Sequence, residues 1–128
     1  MLHMNAMKSY QQAEQEFLVE GASPHRLVQI LFDELLVSLD RAEYGMQVTD
    51  LAAKSAGTSK ALTILYVLAQ SLDFDKGGDL AQTLSQVYEW ARRSVIQASS
   101  DNTVSLLAEV RSTISGISDA WKTIAIAA

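Results

Sequence analysis

Between Leu107 and Ile124 the apolar residues Leu107, Val110, Ile114, Ile117, Trp121 and Ile124 follow one another at intervals of 3, 4, 3, 4 and 3. Side chains so spaced return to one side of an α-helix, whereas a strand would scatter them over both faces. The same period runs through the upstream chain. Leu27, Val28, Leu31, Phe32, Leu35, Leu39, Ala42 and Met46 form one such face, and Ala61, Ile64, Leu65, Leu68 and Leu72 a second. Leu80, Leu84, Val87, Ala91, Val95 and Ala98 form a third, and no stretch sustains the strict alternation of a half-buried strand. The chain therefore reads as all-α.

Local signals divide this pattern. Ser23 followed by Pro24 is a strong helix start, because serine can cap free backbone N–H groups and proline at the first helical position gives up no needed donor. The second helix is expected to begin near Thr49 or Asp50 and the fourth around Asp101 or Asn102, both competent caps, and Gly77 and Gly78 mark a turn. Gly57 falls inside the second periodic run, where glycine weakens a helix by roughly 1 kcal/mol relative to alanine and leaves room for a break or fray. The prediction is one domain over residues 1–128, with helices over 24–46, 50–72, 79–99 and 102–125. Short connections favour antiparallel neighbours, hence an up-down four-helix bundle. A shorter helix over 6–20 is expected to pack against it.

Composition narrows the function. There is no cysteine, so neither disulfides nor thiolate metal sites are available, which fits a reducing cytoplasm. The net charge is −5 and the basic residues are scattered, which argues against nucleic acid, since binding to phosphates needs a basic footprint. No apolar run approaches the ~20 residues of a membrane span, and MLHMNAMKSY lacks the layout of a signal peptide. No cofactor is implied.

Three possible sites of chemistry fare poorly. A calcium loop starting at Asp73 would need an acidic residue at its twelfth position, which is Leu84. The GGD of residues 77–79 lacks the lysine and hydroxyl of a phosphate loop, so the aspartates read as turn and helix-start residues. His25 raises the alternative of a histidine phosphotransfer bundle, yet its place just after Pro24 reads as a surface histidine in a first helical turn. Asp33 and Glu34 point to different sides of a helix and complete no catalytic group. An enzyme is not expected.

The informative anomaly is apolar residues away from the core stripes. Ile30, Val37 and Tyr44 recur every seven residues on the flank opposite the first stripe, and Tyr66, Val67, Trp90 and Ile96 also lie off their core centres. Wide stripes in a bundle account for part of this, and a groove for an apolar partner or a self-association surface accounts for the rest.

YQQ at 10–12, ASPHRLVQILFDELL at 22–36, SLDFDKGGDLAQTLSQVYEWARRSVIQAS at 71–99 and ISDAWKTI at 117–124 occur in an order and spacing that resemble the flagellin export chaperone family, FliS. The resemblance extends over most of the chain from Tyr10 to Trp121. It implies a non-enzymatic cytoplasmic chaperone that binds the C-terminal segment of flagellin, prevents premature polymerisation and presents the complex to the export gate. It further implies an N-terminal segment that packs near the flagellin site and can be displaced. Met7 and Tyr10 are carried over from that segment, and Pro24, Leu27, Ile30, Leu31, Glu34, Val37 and Tyr44 are taken as partner-binding. A homodimer is a further possibility. The chain departs from many members in carrying Glu34 and Leu35 after LFD, where small residues are common, and Thr83 before Leu84.

Overall fold

The serine–proline start behaves as its chemistry requires: Ser23 Oγ accepts a hydrogen bond from the Arg26 amide at 3.1 Å, and helix α1 runs Pro24–Val48. In the computed structural model, which describes residues 23–127, three more helices follow: α2 Leu51–Gln70, α3 Phe74–Asp101 and α4 Val104–Ala127. Asp50 caps α2 through the Ala53 amide, and Asp73 caps α3 through the amides of Asp75 and Lys76. The carboxylate of Asp73 is thus engaged by its own helix start. Asn102 does not open the fourth helix. It closes the third, in a left-handed conformation with φ of 52°, and its amide donates to the Ala98 carbonyl.

The short turns make neighbours antiparallel, and α1 packs on α2, α2 on α3, α3 on α4 and α4 back on α1. The result is an all-helical bundle without strands among the described residues. Its core is built from Phe32, Leu35 and Leu39 of α1, Leu65 and Leu68 of α2, Val95 of α3, and Leu107, Val110 and Ile114 of α4, all essentially without solvent contact. The proposed helix over 6–20, with Met7 and Tyr10, lies outside the described residues.

Three expected placements are corrected. Val67, taken as off-core, is 4% exposed, because α2 is covered by α1 on one side and α3 on the other and so buries a wide arc. Leu80, expected in the core, is 54% exposed. The helix is broken just before it at Gly78, whose φ of 50° and ψ of −126° suit glycine, and the restarted helix turns Ala81 inward instead. Ile124, expected to end the core seam, is 47% exposed. Trp121 already meets His25 in the first turn of α1, so one turn later α4 has run past the α1 helix.

Gly57 interrupts nothing: α2 is continuous through it. A Cβ on that residue would lie 2.5 Å from the Ala42 nitrogen and 2.6 Å from the Ser38 carbonyl oxygen. The missing side chain is what lets the α1 and α2 backbones approach.

Candidate functional site

Where α1 begins and α4 ends, the bundle is tied together by groups whose partners are distant in sequence. The rings of His25 and Trp121 stack with centroids 4.4 Å apart and planes 9° from parallel. The Trp121 indole N–H donates to the His25 carbonyl at 3.0 Å, and the ring meets Phe32 edge-on at 6.2 Å. One turn along α1, Gln29 Nε2 donates to Ser118 Oγ at 2.8 Å and to Asp33 Oδ1 at 3.1 Å. His25 is therefore no free surface ring. Its Nε2 is buried and has no hydrogen-bond partner, which is poor geometry for a phosphoryl acceptor that a donor protein must reach.

Beside this tie lies an open groove of about 280 Å³, bordered by Val28, Leu72, Leu80, Leu84, Tyr88 and Trp121, with Asp73 and Lys76 at its rim. It exists because α1, α4 and the turn between α2 and α3 converge there without closing. Leu80, just past the break at Gly78, stands at the groove's edge about half exposed. An apolar trough with few charges at its lip suits apolar side chains of a peptide.

Tyr88 forms part of the floor and is 3% exposed. Burial pushes its phenol up to about 12. The folded state therefore keeps a proton that the unfolded chain releases above pH 10, so stability is full below pH 10 and is lost as pH rises from 10 towards 12. The slope should approach ~1.4 kcal/mol per pH unit, and denaturant titrations across that window should find it largely absent in Tyr88→Phe. An equal slope in the variant would show that other groups set the alkaline limit.

A second apolar surface runs along the outside of α1. Val37 is 62% and Tyr44 56% exposed; Ile30 is partly covered and Val48 about half exposed on the same line. Glu34 flanks this row and pairs with Lys60 of α2 at 2.9 Å, while on the other flank Arg111 of α4 reaches Asp40 at 3.3 Å and Glu43 at 3.2 Å.

The candidate binding residues thus divide by place. Ile30, Val37 and Tyr44 share the outer row with Glu34 on its flank, Pro24 is exposed at the helix mouth, and Leu27 and Leu31 are turned towards the bundle, Leu27 buried. Met7 and Tyr10 are among the residues not described. Sequence reasoning missed the groove, since nothing in a helical period reveals that Val28, Leu84, Tyr88 and Trp121 meet at an unclosed end. The doubled glycine before Leu80 was the available signal.

The all-helical bundle thus holds an apolar groove open and carries an apolar row along one outward helix, surfaces whose chemistry suits apolar protein segments. No helix among the described residues is long and apolar enough to cross a membrane. The family described as "Flagellar protein FliS" matches residues 6–128. Similar proteins include the flagellar secretion chaperone FliS of Salmonella typhimurium, 37% identical over 97% of this chain and 93% of that protein. FliSB of Pseudomonas aeruginosa is 36% identical over 94% of this chain and 96% of its own length. FliS of Escherichia coli is 37% identical over 90% and 85%. The chain belongs to the FliS family, a family of flagellar secretion chaperones and not of enzymes.

Proposed function

We propose that this chaperone binds the C-terminal segment of flagellin in the cytoplasm, keeps it from polymerising before export, and delivers it to the flagellar type III export apparatus. The export gate meets the chaperone–flagellin complex, and free copies of the chaperone pair with one another. The supporting observation is the open apolar groove between Leu80, Leu84 and Trp121 in a member of the FliS family. A filament subunit hides an amphipathic terminal segment in polymer contacts, so before assembly that segment is apolar and unfolded. Laying it on a preformed bundle covers its apolar side at the entropic cost of ordering it, an exchange that can bury ~1,000–3,000 Å². The outer row of Ile30, Val37 and Tyr44, with Glu34, contributes a second stretch of contact.

In the absence of flagellin, residues 6–20 shield the groove, with Met7 and Tyr10 as anchors; the phenol ring of Tyr10 would be buried and its hydroxyl left to a polar partner. The described chain enters at Ser23, at the groove's end of the bundle, so this segment is within reach. Deleting residues 1–20 should raise the fluorescence of a dye that reports apolar surface while leaving helical circular dichroism per residue nearly unchanged. Loss of the cooperative fold would instead make the segment part of the core. Titration of the full chain with a peptide of the cognate flagellin C-terminus should give tight 1:1 binding; no binding at micromolar concentration would rule strongly against the proposal.

A further inference from the structure

The aspartates around the doubled glycine differ in what holds them. Asp73 Oδ1 accepts hydrogen bonds from the amides of Asp75 and Lys76, so that carboxylate belongs to the start of α3. Asp75 and Asp79 are exposed and make no ion pair among the described residues. Both stand at the groove, because Asp75 directly precedes Lys76 and Asp79 directly precedes Leu80, and Lys76 and Leu80 line it. Their Cα atoms are thus ~3.8 Å from those of lining residues, well inside the ~8 Å over which exposed charges act at physiological salt. Among the described residues Lys76 is the one cation of the lining, and over residues 73–79 three aspartates against one lysine leave a net charge of −2. The apolar trough has an acidic lip where the α2–α3 turn meets α3.

We propose that this lip selects the cargo by charge. The groove takes a stretch of the flagellin segment in which apolar side chains are flanked by lysine or arginine; the apolar groups enter between Leu80, Leu84 and Trp121, and the cation meets Asp75 and Asp79. The inference rests on the chaperone reading above and adds the chemistry that the cargo must carry. Charge complementarity favours this occupant over two others. A stretch with an acidic flank, or a free terminal carboxylate, meets one lysine among three aspartates. The chain's own residues 6–20, assigned above to the groove in the absence of flagellin, hold one lysine and three glutamates, again a net −2. Like charges weaken the cover where opposite charges strengthen the cargo, and the exchange gains its direction from the lip. An exposed ion pair is worth at most about fivefold in affinity, so apolar contact holds the segment and the charges rank it against its competitor.

Calorimetric titration of the full chain with a peptide of the cognate flagellin C-terminus tests the charges. Asp75→Asn combined with Asp79→Asn, which keeps polar residues at the helix start, should weaken binding about fivefold at low salt, and ~0.5 M salt should erase the difference. Lys76→Gln should tighten binding about twofold. Asp101→Asn, at the opposite end of α3, should change nothing. A peptide whose lysines and arginines are replaced by glutamine should bind the natural chain about fivefold more weakly, and should not distinguish it from the doubly substituted one. Equal affinity of the natural peptide for the doubly substituted chain would overturn the proposal. So would weaker binding by Lys76→Gln, which assigns the groove to a carboxylate. In either case tight binding by the natural chain leaves the chaperone reading in place. A natural chain that binds no peptide at micromolar concentration removes that reading, and the charge selection with it.

Discussion

Replacing Gly57 with alanine is expected to destabilise the protein by about 1–2 kcal/mol, although the same change in an exposed helix would stabilise it by about 1 kcal/mol. The two effects oppose each other, and geometry decides between them. Alanine gains helix propensity, but its Cβ would sit 2.5 Å from the Ala42 nitrogen and 2.6 Å from the Ser38 oxygen. Both are backbone atoms that no rotamer change can move aside. The α1 and α2 helices must therefore part, thinning the packing of the most intimate pair in the bundle. Leucine at this position should remove cooperative folding or lower stability by more than about 3 kcal/mol. Gly116 provides the internal control, since a Cβ there meets nothing within 4 Å in the interior of α4. Gly116→Ala should stabilise by roughly 0.5–1 kcal/mol. Urea denaturation of both variants checks the pair, and a Gly57→Ala protein as stable as Gly116→Ala would refute the close-approach account.

Trp121→Ala should have the other large effect, about 3 kcal/mol of stability together with weaker binding of the flagellin segment. The indole does three things at once: it stacks on His25, meets the edge of Phe32, and walls the groove. It also donates to the His25 carbonyl, a bond whose loss contributes about 1 kcal/mol. Trp121→Phe separates these roles, because it keeps a ring over His25 and loses the donor. The phenylalanine variant should retain most peptide affinity with about 1 kcal/mol less stability, whereas the alanine variant loses both. Calorimetric titration at a temperature where each variant is folded is the measurement. Unchanged peptide affinity in Trp121→Ala would remove the groove from the binding surface.

The helical period of the chain was enough to identify the bundle class and most of its centre, because Phe32, Leu35, Leu39, Leu65, Val95 and Ile114 answer to the 3.6-residue repeat alone. The cap at Ser23 was equally legible, since it depends on contacts within one turn, and the start of α2 was placed to within a residue of Asp50. What could not be read depends on how helices meet. Leu80 and Ile124 carry the correct spacing yet face solvent, one because Gly78 resets the helix before it and the other because α4 outruns its neighbour. Gly57 looked like a weakness and is a contact, a difference that only the opposing backbone reveals. For the site, the outward line of Ile30, Val37 and Tyr44 could be drawn from the period, while the groove needed the convergence of α1, α3, α4 and the turn before α3.

The buried bond from Gln29 to Ser118 has a consequence for the alignment of the whole bundle. Two helices held only by aliphatic side chains can slide past each other by a turn and find nearly equivalent packing. A slip of α1 against α4 would leave the Gln29 amide buried without its serine, a penalty of about 1–3 kcal/mol that apolar repacking does not recover. One amide thus acts as an index mark between the first and last helices. It fixes the height at which His25 meets Trp121, and through that ring the shape of the groove that Trp121 borders.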